Sequence, residues 1–154
     1  VRREMMIEAG LEMQGRWVMV LHRRGRRLWT VTGKNLVTTL GKELFCSRIV
    51  GDGVYAAISH MAIGSSGAAA TEAHTALQGT EHMRVATGAG ARLLNTMSYA
   101  GTFAWVGAQI SVEEVGLFNA GAGGTMAARW LSQRFDMFNG DTLVVTWSLP
   151  VGGA

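Results

Sequence analysis

Cysteine, proline and charge are all scarce in this chain. Cys46 is the single cysteine, so no internal disulfide can form and a four-cysteine zinc site is excluded, while the redox compartment stays open. Charged residues make up only 16% of the 154, against 48% hydrophobic, with 21 glycines and one proline. That balance describes a globular chain with a surface poor in charge, better suited to burial against partners than to free life in solution. No apolar run reaches the ~20 residues of a membrane helix, and the opening Val1-Arg-Arg-Glu-Met-Met is followed by no apolar signal core, so an intracellular origin is expected. The length fits one domain with a real hydrophobic core.

The charge present is uneven. The net charge is +3, yet Arg23, Arg24, Arg26 and Arg27 crowd around Gly25. Flanking segments 16–22 and 27–32 are rich in β-branched and aromatic residues, which predicts a β-hairpin with a basic tip. The tip is a candidate contact for an acidic protein surface, with a phosphate backbone as the lesser alternative and a plain solvated turn as the simplest one. Trp17 and Trp29 flank the tip and are expected to pair across the hairpin.

From Asn35 the period changes. Leu36, Val37, Leu40, Leu44, Phe45 and Ile49 recur at helical spacings, predicting one short amphipathic helix that ends near Gly51. Tyr55 to Ile63 then reads as a strand, and residues 64–80 as a long loop, a candidate contact surface that includes Ser65 and Ser66. Strands follow at 81–87, 91–98, 102–106, 109–118, 125–131 and 141–149. In the last, Leu143, Val145, Trp147 and Leu149 alternate with more polar residues, the period of a half-buried strand. Near Glu113-Glu114 the alternation slips, which calls for a β-bulge. Gly121, Gly123 and Gly124 then serve a hairpin loop. The sum is a mainly β protein, an antiparallel β-sandwich or jelly roll, with residues 1–14 as an N-terminal arm and 15–154 as the sandwich domain. The arm is either a short helix or a segment ordered by a partner, and it offers Met5, Met6, Ile7, Leu11 and Met13 as apolar contacts.

Chemistry-bearing residues are sparse in pattern. His22, His60, His74 and His82 have no two at metal-ligand spacing, so no metal or other cofactor is expected. Glu113-Glu114, Ser65, Ser66 and Cys46 lack the neighbouring base and orienting group that catalysis needs, so the chain is not expected to be an enzyme, and the two glutamates read as exposed strand residues. The 121–124 loop joins strand to strand without a Gly-Lys-Ser/Thr ending, so it is no phosphate loop. Trp105 and Trp147 are expected in the core.

Three segments carry a resemblance: "GKNLVTTLGKELF" (33–45), "AISHMAIGSSGAAATEAHTALQGTEHMRV" (57–85) and "EEVGLFNAGAGGTMAARWLSQRFDMFNGDTLVVTWSL" (113–149). The Asn-Leu-Val-Thr helix start, the Gly-Leu-Phe hairpin and the closing Gly-Asp-Thr-Leu strand resemble a group of small structural proteins of tailed bacteriophages. The second segment departs from that pattern, reading Gly64-Ser-Ser-Gly67. The resemblance implies a virion component with no catalytic residues. Absence of fibre repeats or a coiled-coil extension favours a capsid decoration, or cement, protein on the capsid exterior, bound to the major capsid protein and to copies of itself. A tail-fibre or baseplate adaptor is the alternative, and a carbohydrate-binding module using exposed tryptophans a more remote one. Nucleic acid, membrane and small-molecule partners are not expected.

Overall fold

The computed structural model describes residues 13–151. Its ten strands form two antiparallel five-stranded sheets that face each other as a β-sandwich, with one short helix. In chain order the strands are β1 (Arg16–Arg23), β2 (Arg26–Lys34), β3 (Leu36–Val37), β4 (His60–Gly64), β5 (Glu81–Ala86), β6 (Ala91–Leu93), β7 (Thr96–Ala104), β8 (Ile110–Phe118), β9 (Met126–Met137) and β10 (Thr142–Pro150). One sheet runs β2-β1-β10-β7-β6 and the other β3-β9-β8-β4-β5. The helix α1 spans Thr39–Val50.

Alternation places the core. Leu143, Val145, Trp147 and Leu149 of β10 are each 0% exposed, and each such side chain contributes about 1.5–3 kcal/mol by leaving water. Opposite them, Trp17 stacks on Trp130 across the two sheets at 6.0 Å, and Phe45 of α1 stacks on Trp147 at 6.3 Å. The tryptophans of the first hairpin therefore do not pair. Trp17 lies opposite Gly33 and Trp29 opposite Leu21, because the two stand at unequal distances from the turn. Trp29 instead meets Phe135 edge-on at 4.8 Å. Trp105 follows β7 rather than lying in a strand and is only half-buried, its indole N–H donating to the Ala108 carbonyl.

The helix begins later than its periodicity predicts. Leu36 and Val37 pair with Arg129 and Ala128 as a short edge strand, and Thr38 ends that pairing. The Thr38 hydroxyl donates to the Met126 carbonyl and accepts from the Gly41 amide, capping α1 and tying it to β9 in one step. Gly41 is packed so closely that a Cβ there would overlap the Ala127 carbonyl. The helix ends as expected, at Gly51 in the left-handed conformation. Beyond it, Asp52 accepts from the Ser47 hydroxyl and the Val54 amide, which hold its carboxyl below the ordinary range. The last turn breaks the predicted amphipathy: Ile49 is 84% and Val50 77% exposed. The expected strand from Tyr55 shortens to its final part, β4, while the strands expected at 91–98 and 102–106 are redistributed into β6 and a longer β7. Among the described residues no helix is long and apolar enough to cross a membrane.

Candidate interaction surface

The predicted bulge decides the most unusual feature of the molecule. Pairing between β8 and β9 slips between Val112 and Glu114, so one extra residue resets the strand. Val112, Val115 and Leu117 thereby face the sandwich core, and Glu114 points to the other side of its sheet. There it is not an exposed strand residue, as its sequence context predicts. Loop 65–80 lies over it, and Glu114 and Arg129 are both 0% exposed.

Apart from the bond between its own two side chains, this buried cluster holds the loop. Glu114 Oε1 accepts from the amides of Ser66 (3.2 Å) and Gly79 (2.8 Å), and Oε2 from the amide of Gln78 (3.0 Å) and from Arg129 Nε (2.8 Å). The Arg129 guanidinium also donates to the Ala68 carbonyl at 2.8 Å and to the Ser66 carbonyl at 3.4 Å. A carboxylate buried without partners would be costly, and here backbone amides and a guanidinium satisfy it. Leu77 adds an apolar plug, packing with Phe118, Met126 and Ala62 on the same outer face of the sheet. Lys42 of α1 meets Glu72 at 2.7 Å, and the Glu72 carbonyl accepts from the Thr39 amide, so the loop is also fastened to the helix.

Loop 65–80 is thus pre-shaped. Its candidate contacts Ser65 and Ser66 serve it internally: the Ser65 hydroxyl accepts from the Thr80 amide and the Ser66 hydroxyl from the Ala68 amide. What the loop turns outward is mostly small, including Gly67, Ala68, Ala69, Thr71 and Ala73. The signal for the clamp was present in the sequence as a bulge beside a carboxylate, but its partner Arg129 sits 15 residues away and only strand pairing brings it close.

The basic tip divides into two parts. Arg24 and Gly25 take the left-handed conformation of a tight hairpin turn, and Arg24, Arg26 and Arg27 are exposed. Arg23 is not a free cation. It grips Asp141 with bonds of 2.8 and 2.7 Å and lies over the Phe138 ring at 4.5 Å. The Arg23 hydrogen bond is the main reason the Asp141 carboxyl sits below its ordinary range, and it raises Arg23 in turn.

A third surface was not foreseen. Between α1 and β7 lies an apolar groove of about 350 Å³, walled by Met13, Phe45, Cys46, Ile49, Met97 and Val151. Arg48 and Tyr99 also line it, and burial pushes the Tyr99 hydroxyl above its usual range. Of the apolar contact candidates in the arm, only Met13 can be placed. Met5, Met6, Ile7 and Leu11 lie outside the described residues.

Other candidates stay apart. Among the described residues no three His, Cys, Asp or Glu side chains are grouped to hold a metal ion. Trp17, Trp130 and Trp147 are buried, which takes them out of any carbohydrate platform and leaves the half-buried Trp29 and Trp105 apart in the chain. Comparison with family models, with curated proteins and with solved structures finds no match to this chain.

Proposed function

We propose that this protein is a structural component of a tailed-bacteriophage virion, and within the virion a capsid decoration protein that binds the major capsid protein and stabilises the shell. The observation that carries the reading is the clamped loop. An exposed loop whose amides are already bound to a buried carboxylate loses little conformational freedom on docking, so its contact area converts efficiently into affinity. Small outward side chains let a partner's backbone approach closely. The segments on which the virion resemblance rests, 33–45, 57–85 and 113–149, supply β3, β4, β9 and most of β5 and β8 in one sheet, the loop over it and α1 to Phe45, together with most of β10 in the other sheet.

In this reading the protein works by buried area rather than by chemistry. The basic tip supplies charge complementarity to an acidic patch on the capsid exterior, and many copies on one shell act together through high effective concentration. The test is copy number, measured by quantitative mass spectrometry of purified particles of the phage that encodes it. Hundreds of copies per particle are expected. A few or tens would move the protein to the tail fibre or baseplate, and absence from particles would remove it from the virion.

A further inference from the structure

Four strands lie at the edges of the two sheets, and three of them offer little to pair with. β3 has two residues, β6 three, and β5 carries the Glu81–Arg84 ion pair along its six. β2 is different. It is nine residues long, and among the described residues it pairs on one side only, with β1. Its register slips at Leu28 and is regular from Trp29 to Lys34. Shortness, mid-strand charge and bulges keep strand edges from pairing, and the stretch Trp29-Thr-Val-Thr-Gly33 has none of these guards. Thr30, Val31 and Thr32 are exposed, and alternate amides and carbonyls of this stretch turn away from β1. Trp29 and Val31 stand across from the core residues Leu21 and Met19, where β2 overhangs the other sheet. There an open cleft of about 230 Å³ runs between β2 and the last part of β9, with Met19, Trp29, Val31 and Phe135 as its apolar lining.

Charge decides what fits there. Residues 16–34 contain six cations and no carboxylate. Arg26 and Arg27 are exposed at one end of β2, Lys34 and its cross-strand neighbour Arg16 at the other. A second copy of β2 laid alongside would set Arg26 against Lys34 if antiparallel and Arg26 against Arg26 if parallel, so like charges meet either way. We propose that the β2 edge is a docking site for an extended segment of a partner protein, with β-branched or apolar residues at its centre and carboxylates at both ends. The segment joins the five-stranded sheet beyond β2. Backbone hydrogen bonds to Trp29–Gly33 supply affinity, alternate side chains enter the cleft, and the flanking cations select the acidic ends.

Three synthetic peptides test this against the full-length protein: acetyl-Glu-Val-Thr-Val-Thr-Val-Glu-amide, the same peptide with Lys in place of Glu, and the Glu peptide with its central amides N-methylated. At low salt the Glu peptide should bind about tenfold more tightly than the Lys peptide, because opposite charges then face each other at both ends. Its binding should protect amides between Trp29 and Gly33 from hydrogen exchange, and N-methylation should abolish it. The variant Arg27→Glu with Lys34→Glu, its melting profile checked against the parent, should prefer the Lys peptide. No binding of the Glu peptide to the folded parent, or equal binding of the Glu and Lys peptides, would overturn the proposal. Binding that leaves Trp29–Gly33 unprotected, or that survives N-methylation, would do the same. A dimer of the protein alone with those amides protected would overturn it in favour of a second copy. The assay needs no particle, so the docking edge and the virion reading fail separately.

Discussion

Two of the ion pairs among the described residues, Arg129–Glu114 and Arg23–Asp141, do different work. Arg129–Glu114 is closed inside, with both side chains 0% exposed, whereas Arg23–Asp141 sits at the rim, where the arginine keeps 37% of its side-chain surface in water. The inner pair faces a low dielectric, so its worth lies in complete satisfaction: three loop amides and two loop carbonyls depend on it. The outer pair is a clip. It fixes the end of β1 to the 138–141 turn, where the Phe138 amide also donates to Asp141, and water can replace much of what it supplies. A buried pair can thus dictate the shape of a whole loop, while an exposed one tunes a turn.

The comparison can be broken most forcefully at Glu114. Glu114→Ala strands the Arg129 charge in the interior, and a loss of about 3–5 kcal/mol is expected in urea unfolding. Hydrogen exchange should show the amides of Ser66, Gln78 and Gly79 losing protection before the rest of the molecule. The double change Glu114→Gln with Arg129→Met removes the stranded charge and should recover part of the stability without restoring the loop. Equal protection of the loop in parent and Glu114→Ala would show that the carboxylate does not hold it.

A smaller effect is expected where neither pair acts. Gly124 has φ +74, and a Cβ there would come within 2.6 Å of that of Ala120, so Gly124→Val should cost about 2 kcal/mol through strain in the 119–125 hairpin. Loop protection should be unaffected. Selective loss of partner binding by a variant with normal melting would instead make the hairpin a contact.

The rim pair predicts a pH signature. Because the folded carboxyl of Asp141 lies below its unfolded value, the pair stabilises the protein fully above the unfolded value of about 3.9 and the contribution is lost as pH falls through the folded one. Asp141→Asn should therefore lower the melting temperature near neutral pH and converge on the parent in strong acid. A difference that stayed constant down to strong acid would mean that the Arg23 pairing contributes nothing. The smallest effect on folding is expected at the tip: Arg24→Glu with Arg26→Glu should change stability by less than about 0.5 kcal/mol. Particle binding should weaken, most at low salt, where screening is slight. Occupancy that stays at the parent level across a salt series would exclude the tip as a contact.

Local patterns determined much of this protein unaided. Period-two alternation in β10, the glycine at the end of α1, the Arg24-Gly25 turn and the slipped register at Glu113-Glu114 are all short-range facts, since each depends on neighbours within a few residues. The same reading misplaced the start of α1, because Leu36 and Val37 prefer a strand only when β9 is there to pair with. It paired Trp17 with Trp29, although one belongs to the core between sheets and the other to its edge. It took Glu114 for an exposed residue, because a carboxylate on a strand is cheap in water and its burial becomes affordable only with Arg129 and three loop amides in place. The apolar groove had no signal at all, being made of Met13, α1, β7 and Val151, which meet only in three dimensions. Sequence alone settled the backbone conformation of stretches whose signal is local, such as β10 and the end of α1; tertiary structure decided the rest and which side chains lose their water, because desolvation depends on what the rest of the chain brings alongside.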